Sequence, residues 1–277
     1  MIIESIELGL IFGLLITGTW LTSKIIKFDD LSIEGSFSIG GAICAKLLSI
    51  DCCPILALFS SMGAGIIAGC LTGILHNKLK INNLLSGILT VNILFSLSLV
   101  IATSNIALLN TRTIFDLFES IPIANKIIPL GLITIICFSA VKKLLSTEIG
   151  LCIQSIGENK NLLSMIGKKK IFFETIALAI SNGLAALAGA LFVQLTGFFS
   201  IWANVGIIVS TLAGMKISQL FTNKMNISIL AGGIIFQIII SLTFEFNVMP
   251  ELQKLISALL VIILTIILKN KEKNVKA

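Results

Sequence analysis

Residues 255–268 (LISALLVIILTIIL) form a stretch in which apolar side chains are almost unbroken, and comparable runs recur along the chain. A helix on the surface of a water-soluble domain carries an apolar stripe and a polar face, so a run that is apolar all round needs an apolar environment on every side. A bilayer core about 30 Å thick takes about 20 such residues per helical crossing, and helices meet their own backbone hydrogen-bonding needs in hydrocarbon. A transmembrane barrel would instead alternate over segments of about ten residues, and these runs do not. Composition agrees. Of 277 residues 56% are apolar and 12% charged, with a mean hydropathy of +1.06, whereas soluble domains carry about 25% charge.

The expectation is therefore an all-α fold, a polytopic transmembrane helical bundle occupying residues 1–277 as a single domain. Spans are expected near 6–23, 35–50, 54–75, 83–103, 127–141, 171–195, 201–215, 227–246 and 252–268, about nine in all. One or two are expected to be broken helices: 36–45 is short and ends at Lys46, and 201–215 follows its predecessor through a tight connection at 197–204. Broken helices are tolerated where backbone is buried in protein or lines a cavity. The second of these is kept as a crossing, because the lysine-rich tail would otherwise lie outside.

Lysine placement sets the orientation. With the C-terminal tail inside, the inner loops hold Lys24, Lys27, Lys78, Lys80, the six lysines between Lys142 and Lys170, Lys216, Lys224 and the four from Lys269 onward, sixteen of the 20 basic residues. Lys46, Arg112, Lys126 and Lys254 fall on the other face. Cytoplasmic loops carry this excess, so the N-terminus is expected outside and the C-terminus in the cytoplasm. The same distribution accounts for the net charge of +6 without nucleic acid. The first residues lack a basic region and a small-residue cleavage site, so no cleaved signal is expected.

Several chemistries find no residues here. The six cysteines form no C-x-x-C pair and His76 is the single histidine, so neither a metal nor a redox centre is expected. Adjacent Cys52 and Cys53 are read as small apolar residues rather than a disulfide. A phosphate loop of the form G-x-x-x-x-G-K-[ST] is absent, so the chain is expected to bind no ATP and to need no cofactor of its own. No span carries a series of acids or histidines able to relay protons, and Glu174 and Glu245 are expected at helix ends within reach of water. No catalytic residue is expected.

Three segments depart from plain lipid-facing helix. In residues 28–41 (FDDLSIEGSFSIGG), Asp29, Asp30 and Glu34 precede a glycine-rich run. Two readings stand side by side: an N-terminal cap whose acids suit the helix dipole, or a broken central helix lining a pathway. Residues 142–170 form the longest inner loop, with a short amphipathic helix expected from Glu158 to Ile166 and stopping at Gly167. Leu162, Met165 and Ile166 fall at i, i+3 and i+4 and make one apolar stripe, to be covered by the bilayer surface, by the chain itself or by a groove on a partner protein. In residues 182–198, Gly183, Ala186, Gly189 and Ala190 make a small-residue packing face, with Gln194 a weak pathway candidate. Asn92 and Gln237 are attributed to interhelical hydrogen bonds.

At these segments the chain resembles the permease family of ABC importers that includes the branched-chain amino acid and ribose permeases, and it is similar to the branch found beside tryptophan or tyrosine binding proteins. The matches are 30–37 (DLSIEGSF, for a usual DLTVDGSF), 79–89 (LKINNLLSGIL, for a usual K-I-N-P-L-L-A-G-I) and 150–167. Ser32 and Glu34 are conservative departures, and Asn83 stands where proline is usual. The resemblance implies a subunit that docks an ATP-binding ABC ATPase through Gly157, Glu158, Asn159, Leu162, Met165, Ile166 and Gly167, with the family's broken central helix, lining the pathway, at Asp30, Glu34, Gly35 and Ser36. It further implies a second permease subunit, an extracytoplasmic solute-binding protein, surrounding membrane lipid, and import of a small solute by alternating access, an amino acid being the guess from family company. The outer loop 104–126, with Arg112, Asp116 and Glu119, would face the binding protein or solvent. The rival readings are an ion-coupled secondary transporter, which would need no ATPase, and a membrane-embedded enzyme, which the single histidine disfavours.

Overall fold

The computed structural model describes residues 2–103, 105–108, 111–118, 126–159, 162–200, 202, 206–221, 227–245 and 252–276. Helix α1 (Ile2–Trp20) ends in a π-helical turn, Leu21–Ile25, and a non-helical stretch leads to α2 (Ser32–Leu48). There follow α3 (Pro54–Asn77), α4 (Asn83–Ala102) and, after the outer connection, α5 (Ile127–Leu145). The inner loop folds as α6 (Glu148–Glu158) and a single turn, α7 (Leu162–Met165). The chain then runs back through α8 (Lys170–Thr196), α9 (Ile207–Phe221), α10 (Ser228–Glu245) and α11 (Gln253–Lys276).

Each expected run contains a helix, and among the described residues five of them are long and apolar enough to cross a membrane. The boundaries move. The seventh run becomes α9, which begins six residues later than expected, and α11 continues as helix into the lysine-rich tail. Exposed Phe59, Ile67 and Val100 show that α3 and α4 turn large apolar side chains outward, as lipid-facing helices do.

Helix α8, 27 residues or about 40 Å long, is enclosed by the others and forms the centre of the bundle with α2 and α3. Lipid tails are as apolar as leucine, so helices here gain little from hiding side chains and much from close backbone packing. The glycines supply it. A Cβ on Gly40 would lie 2.1 Å from the Ala186 carbonyl oxygen, and one on Gly189 would lie 2.0 Å from that of Phe37. On α3, Gly65 and Gly69 lie against the Asn182 and Leu178 carbonyls in the same manner, and Gly73 lies against the Thr175 side chain. The small-residue face anticipated on α8 therefore meets two partners, and the i, i+4, i+8 glycines of α3 are a signal the sequence reading passed over.

Beyond the C-terminal end of α8 a two-residue antiparallel pairing joins Ile106–Ala107 to Phe198–Phe199, after Gly197 ends the helix at φ +73°. The expected outer-loop residue Glu119 and the inner-loop residues Lys160 and Lys224 lie outside the described residues.

Gly40→Val would drive side-chain atoms into the α8 backbone, whereas Gly63 has open space around it. Thermal unfolding in detergent is expected to show Gly40→Val less stable than Gly63→Val by about 3 kcal/mol or more.

Candidate functional site

The non-helical stretch before α2 carries a carboxylate into the bundle. Asp30 is 5% exposed and sits among Ser32, Ser36 and Asn182, all fully buried. Its Oδ1 accepts the Ser32 N–H at 2.8 Å, and its Oδ2 accepts from Asn182 Nδ2 at 2.9 Å. Asn182 Oδ1 in turn accepts from Ser36 Oγ at 2.6 Å and lies 3.0 Å from Ser32 Oγ. The Ser32 hydroxyl also reaches Asp30 Oδ1, and its one proton serves only one of the two acceptors at a time. The second proton on Asn182 Nδ2 goes to the Leu178 carbonyl at 3.0 Å. A buried polar group is tolerated when its partners are supplied by protein, and here α8 supplies them to the entrance of α2. Asn182 was noted as the first residue of the small-residue segment without being given this role. Its signal was the amide itself, isolated in an apolar run.

One turn along, Glu34 points elsewhere. Its Oε1 accepts the Gly206 N–H at 2.8 Å, the Ile208 N–H reaches the same carboxylate, and Lys254 lies within range of its charge. Glu34 thereby caps α9 from another helix. The neighbouring Gly35 packs on Val91 and Leu94, half-way along α4, so the start of α9 lies deep within the bundle. At 15 residues α9 is about 22 Å long, a recessed helix whose positive end is met by a carboxylate. Where a broken helix is expected over 201–215, the helix starts at Ile207 with Glu34 as its partner.

The remaining pathway candidates separate. Gly35 is a close-packing residue against α4. Gln194 is buried at the outer end of α8, where its Oε1 accepts the Ile114 N–H at 2.9 Å and its Nε2 lies 3.4 Å from both Cys44 Sγ and the Pro54 carbonyl. It clips the outer connection to the helix ends and is not brought together with Asp30.

The expected helix from Glu158 to Ile166 is replaced by two. The amphipathic helix is α6, capped by Thr147 through the Gly150 N–H, and it ends at Asn159, whose φ −144°, ψ 107° is extended. Glu158 therefore closes one helix instead of opening another. The reason is tertiary: α6 buries Cys152, Ile153 and Ile156 against its own chain, and a Cβ on Gly157 would lie 1.8 Å from the Ile25 carbonyl oxygen. Gly157 thus holds the loop against the π-turn that precedes Asp30. Beyond the break, Leu163 is 1% exposed while Leu162 is 40%, Ile166 56% and Met165 80% exposed. Gly167 follows at φ +70°, the conformation expected of a helix stop.

A second correction concerns Glu174. It is expected at a wet helix end but is 3% exposed, 3.4 Å from Lys170 Nζ and 3.9 Å from His76 Nε2. Four residues into α8, it is shielded by α3, which brings His76 across it. Among the described residues no three His, Cys, Asp or Glu side chains cluster as metal ligands. Cys52 and Cys53 are free.

Helices of membrane-spanning length packed into one bundle describe a multi-pass membrane protein. Residues 1–265 match the family described as the permease component of branched-chain amino acid transport systems, and the chain belongs to that family. It is thus an inner-membrane protein, the permease subunit of an ABC-type importer for small solutes, in a family that works with an ATPase and a solute-binding protein. It is similar to the tyrosine transport system permease protein of Clostridioides difficile, 33% identical over 270 residues, covering 94% of this chain and 89% of that protein. An uncharacterized protein of Rickettsia prowazekii is 32% identical over 227 residues, 81% of this chain and 79% of that one. The ribose import permease protein of Haemophilus influenzae is 23% identical over 246 residues, 80% and 73% of the two chains. No solved structure matches the chain.

Replacing Asn182 with Leu would leave the Asp30 carboxylate buried without its α8 donor. The expected cost is about 1–3 kcal/mol, read as a lowered unfolding midpoint of the purified chain, with Ser36→Ala costing less.

Proposed function

We propose that this chain imports an amino acid as one of two identical permease subunits, moved by an ATPase that docks on its inner loop. The observation that carries the reading is the turn after Asn159, where Leu162, Met165 and Ile166 stand in water around a buried Leu163. A single turn has no independent stability, and an exposed apolar stripe of this kind suits a groove on a partner. Gly157, Glu158, Asn159 and Gly167 set the shape of that loop. ATP is bound by the docked subunit, and this chain needs no cofactor.

The amino acid class rests on similarity to the tyrosine permease. The pathway runs beside Glu34 and the recessed start of α9, with Asp30, Ser36 and Asn182 holding the entrance of α2 behind it. Gly35 seats α2 on α4, and Gln194 secures the outer end. A second copy is supported by Asn92 and Ser96, exposed one turn apart on the outer side of α4. An amide left in hydrocarbon is costly, and a partner subunit would cover it.

Motion imparted to α7 passes through α6 to the Ile25 carbonyl and on to the stretch bearing Asp30, a short path from the docked ATPase to the core. The binding protein meets the opposite face, around Arg112 and Asp116.

Changing Leu162, Met165 and Ile166 together to Ala is expected to leave the chain folded while reducing ATPase recovered on co-purification by about tenfold or more. Uptake that persists in reconstituted vesicles without any ATPase would instead establish an ion-coupled transporter.

The N-terminus is placed outside and the C-terminus in the cytoplasm, supported by the lysine bias. Cys53, exposed between α2 and α3, then faces outward. In a variant keeping Cys53 alone, a membrane-impermeant maleimide is expected to label intact cells, and labelling only after lysis would reverse the orientation.

A further inference from the structure

Between α1, α5 and α10 runs a groove of roughly 820 Å³ that opens sideways from the bundle. Its floor is Phe138 and Leu230, both buried, and its lips are Ile135 and Ile227, both exposed. At one end Thr134 Oγ donates to the Leu10 carbonyl at 3.4 Å and joins α5 to α1. The other end lies where α5 finishes, and there the wall becomes polar: Lys142 and Lys143, with Ser139 and Ser146 beside them.

Neither lysine has an acidic partner among the described residues, and both are exposed. Two cations at the end of a membrane helix sit at headgroup depth, and an apolar trough leads from them along the helix axes toward the bilayer centre. An occupant must carry negative charge at one end and a long apolar body at the other. Basic pockets between membrane helices on the cytoplasmic side take such molecules.

We propose that this groove is a binding site for one anionic phospholipid, its phosphate between Lys142 and Lys143 and an acyl chain over Phe138 and Leu230. None of the groove's lining residues is Asp30, Glu34, Leu162, Met165 or Ile166. The lipid fills a gap between α5 and the α1–α10 pair, so it supports the inner end of α5 where that helix leads into the coupling loop.

Native mass spectrometry of the purified full-length chain, titrated with phosphatidylglycerol or with phosphatidylcholine of the same acyl chains, tests the assignment. One phosphatidylglycerol per chain is expected to bind about thirtyfold more tightly than phosphatidylcholine, the increment two lysines supply near a membrane surface. Lys142→Gln with Lys143→Gln should abolish the preference, while Lys78→Gln with Lys80→Gln, an equal charge change elsewhere, should preserve it. Ser139→Phe, which fills the trough and keeps both lysines, should weaken phosphatidylglycerol binding. Equal affinity for the two lipids, or a preference unchanged in the Lys142/Lys143 variant, would overturn the proposal. So would a cross-link between two Ile135→Cys chains in anionic bilayers, which would place a second copy in the groove.

Discussion

The contact on which the bundle depends is made by backbone. Along α8, carbonyl groups of Leu178, Asn182 and Ala186 are approached by glycines of α2 and α3 so closely that a single methyl group would not fit. In water two helices are pressed together by hiding apolar surface, but in lipid that driving force is largely absent and close packing must replace it. The glycines are thus what allows three helices to share one axis. Everything polar inside that seam has been cut off from solvent, so each group requires a partner from the protein.

This requirement explains why the entrance of α2 is built as it is. The chain breaks helix after Ile25, leaving backbone and a carboxylate in the interior, and Asn182 answers from α8. The start of α9 poses the mirror problem, with free N–H groups deep in the bundle, and Glu34 answers from α2. One short segment, residues 30–36, therefore ties α8 on one side and α9 on the other. A shift of that segment must disturb both.

The inner loop reaches the same segment by packing. Gly157 rests on the Ile25 carbonyl, five residues before Asp30. The loop therefore divides its labour: α6 buries its apolar side against the chain, and the turn after Asn159 leaves its apolar side uncovered. An exposed stripe beside a seated helix has the form of a handle.

The sequence by itself determined the solvent, the helices and the segments that matter. Unbroken apolar runs allow no other secondary structure in hydrocarbon, and acids beside such runs, as at Asp30 and Glu34, are too costly to be idle. It could equally mark Gly157 to Gly167 through the family pattern. Only the tertiary structure decided the pairings. Asp30 and Asn182 are separated by 152 positions, Glu34 and Gly206 by 172, and no periodicity within either segment encodes the other. The helix expected from Glu158 failed for the same reason, since residues 148–158 gain more from burial against the Ile25 turn than local end signals can offset. Glu174 looked wet because it lies near the expected end of its span, whereas the neighbour that shields it, His76, stands on α3. Local chemistry sets what each residue needs, and the path of the chain sets who supplies it.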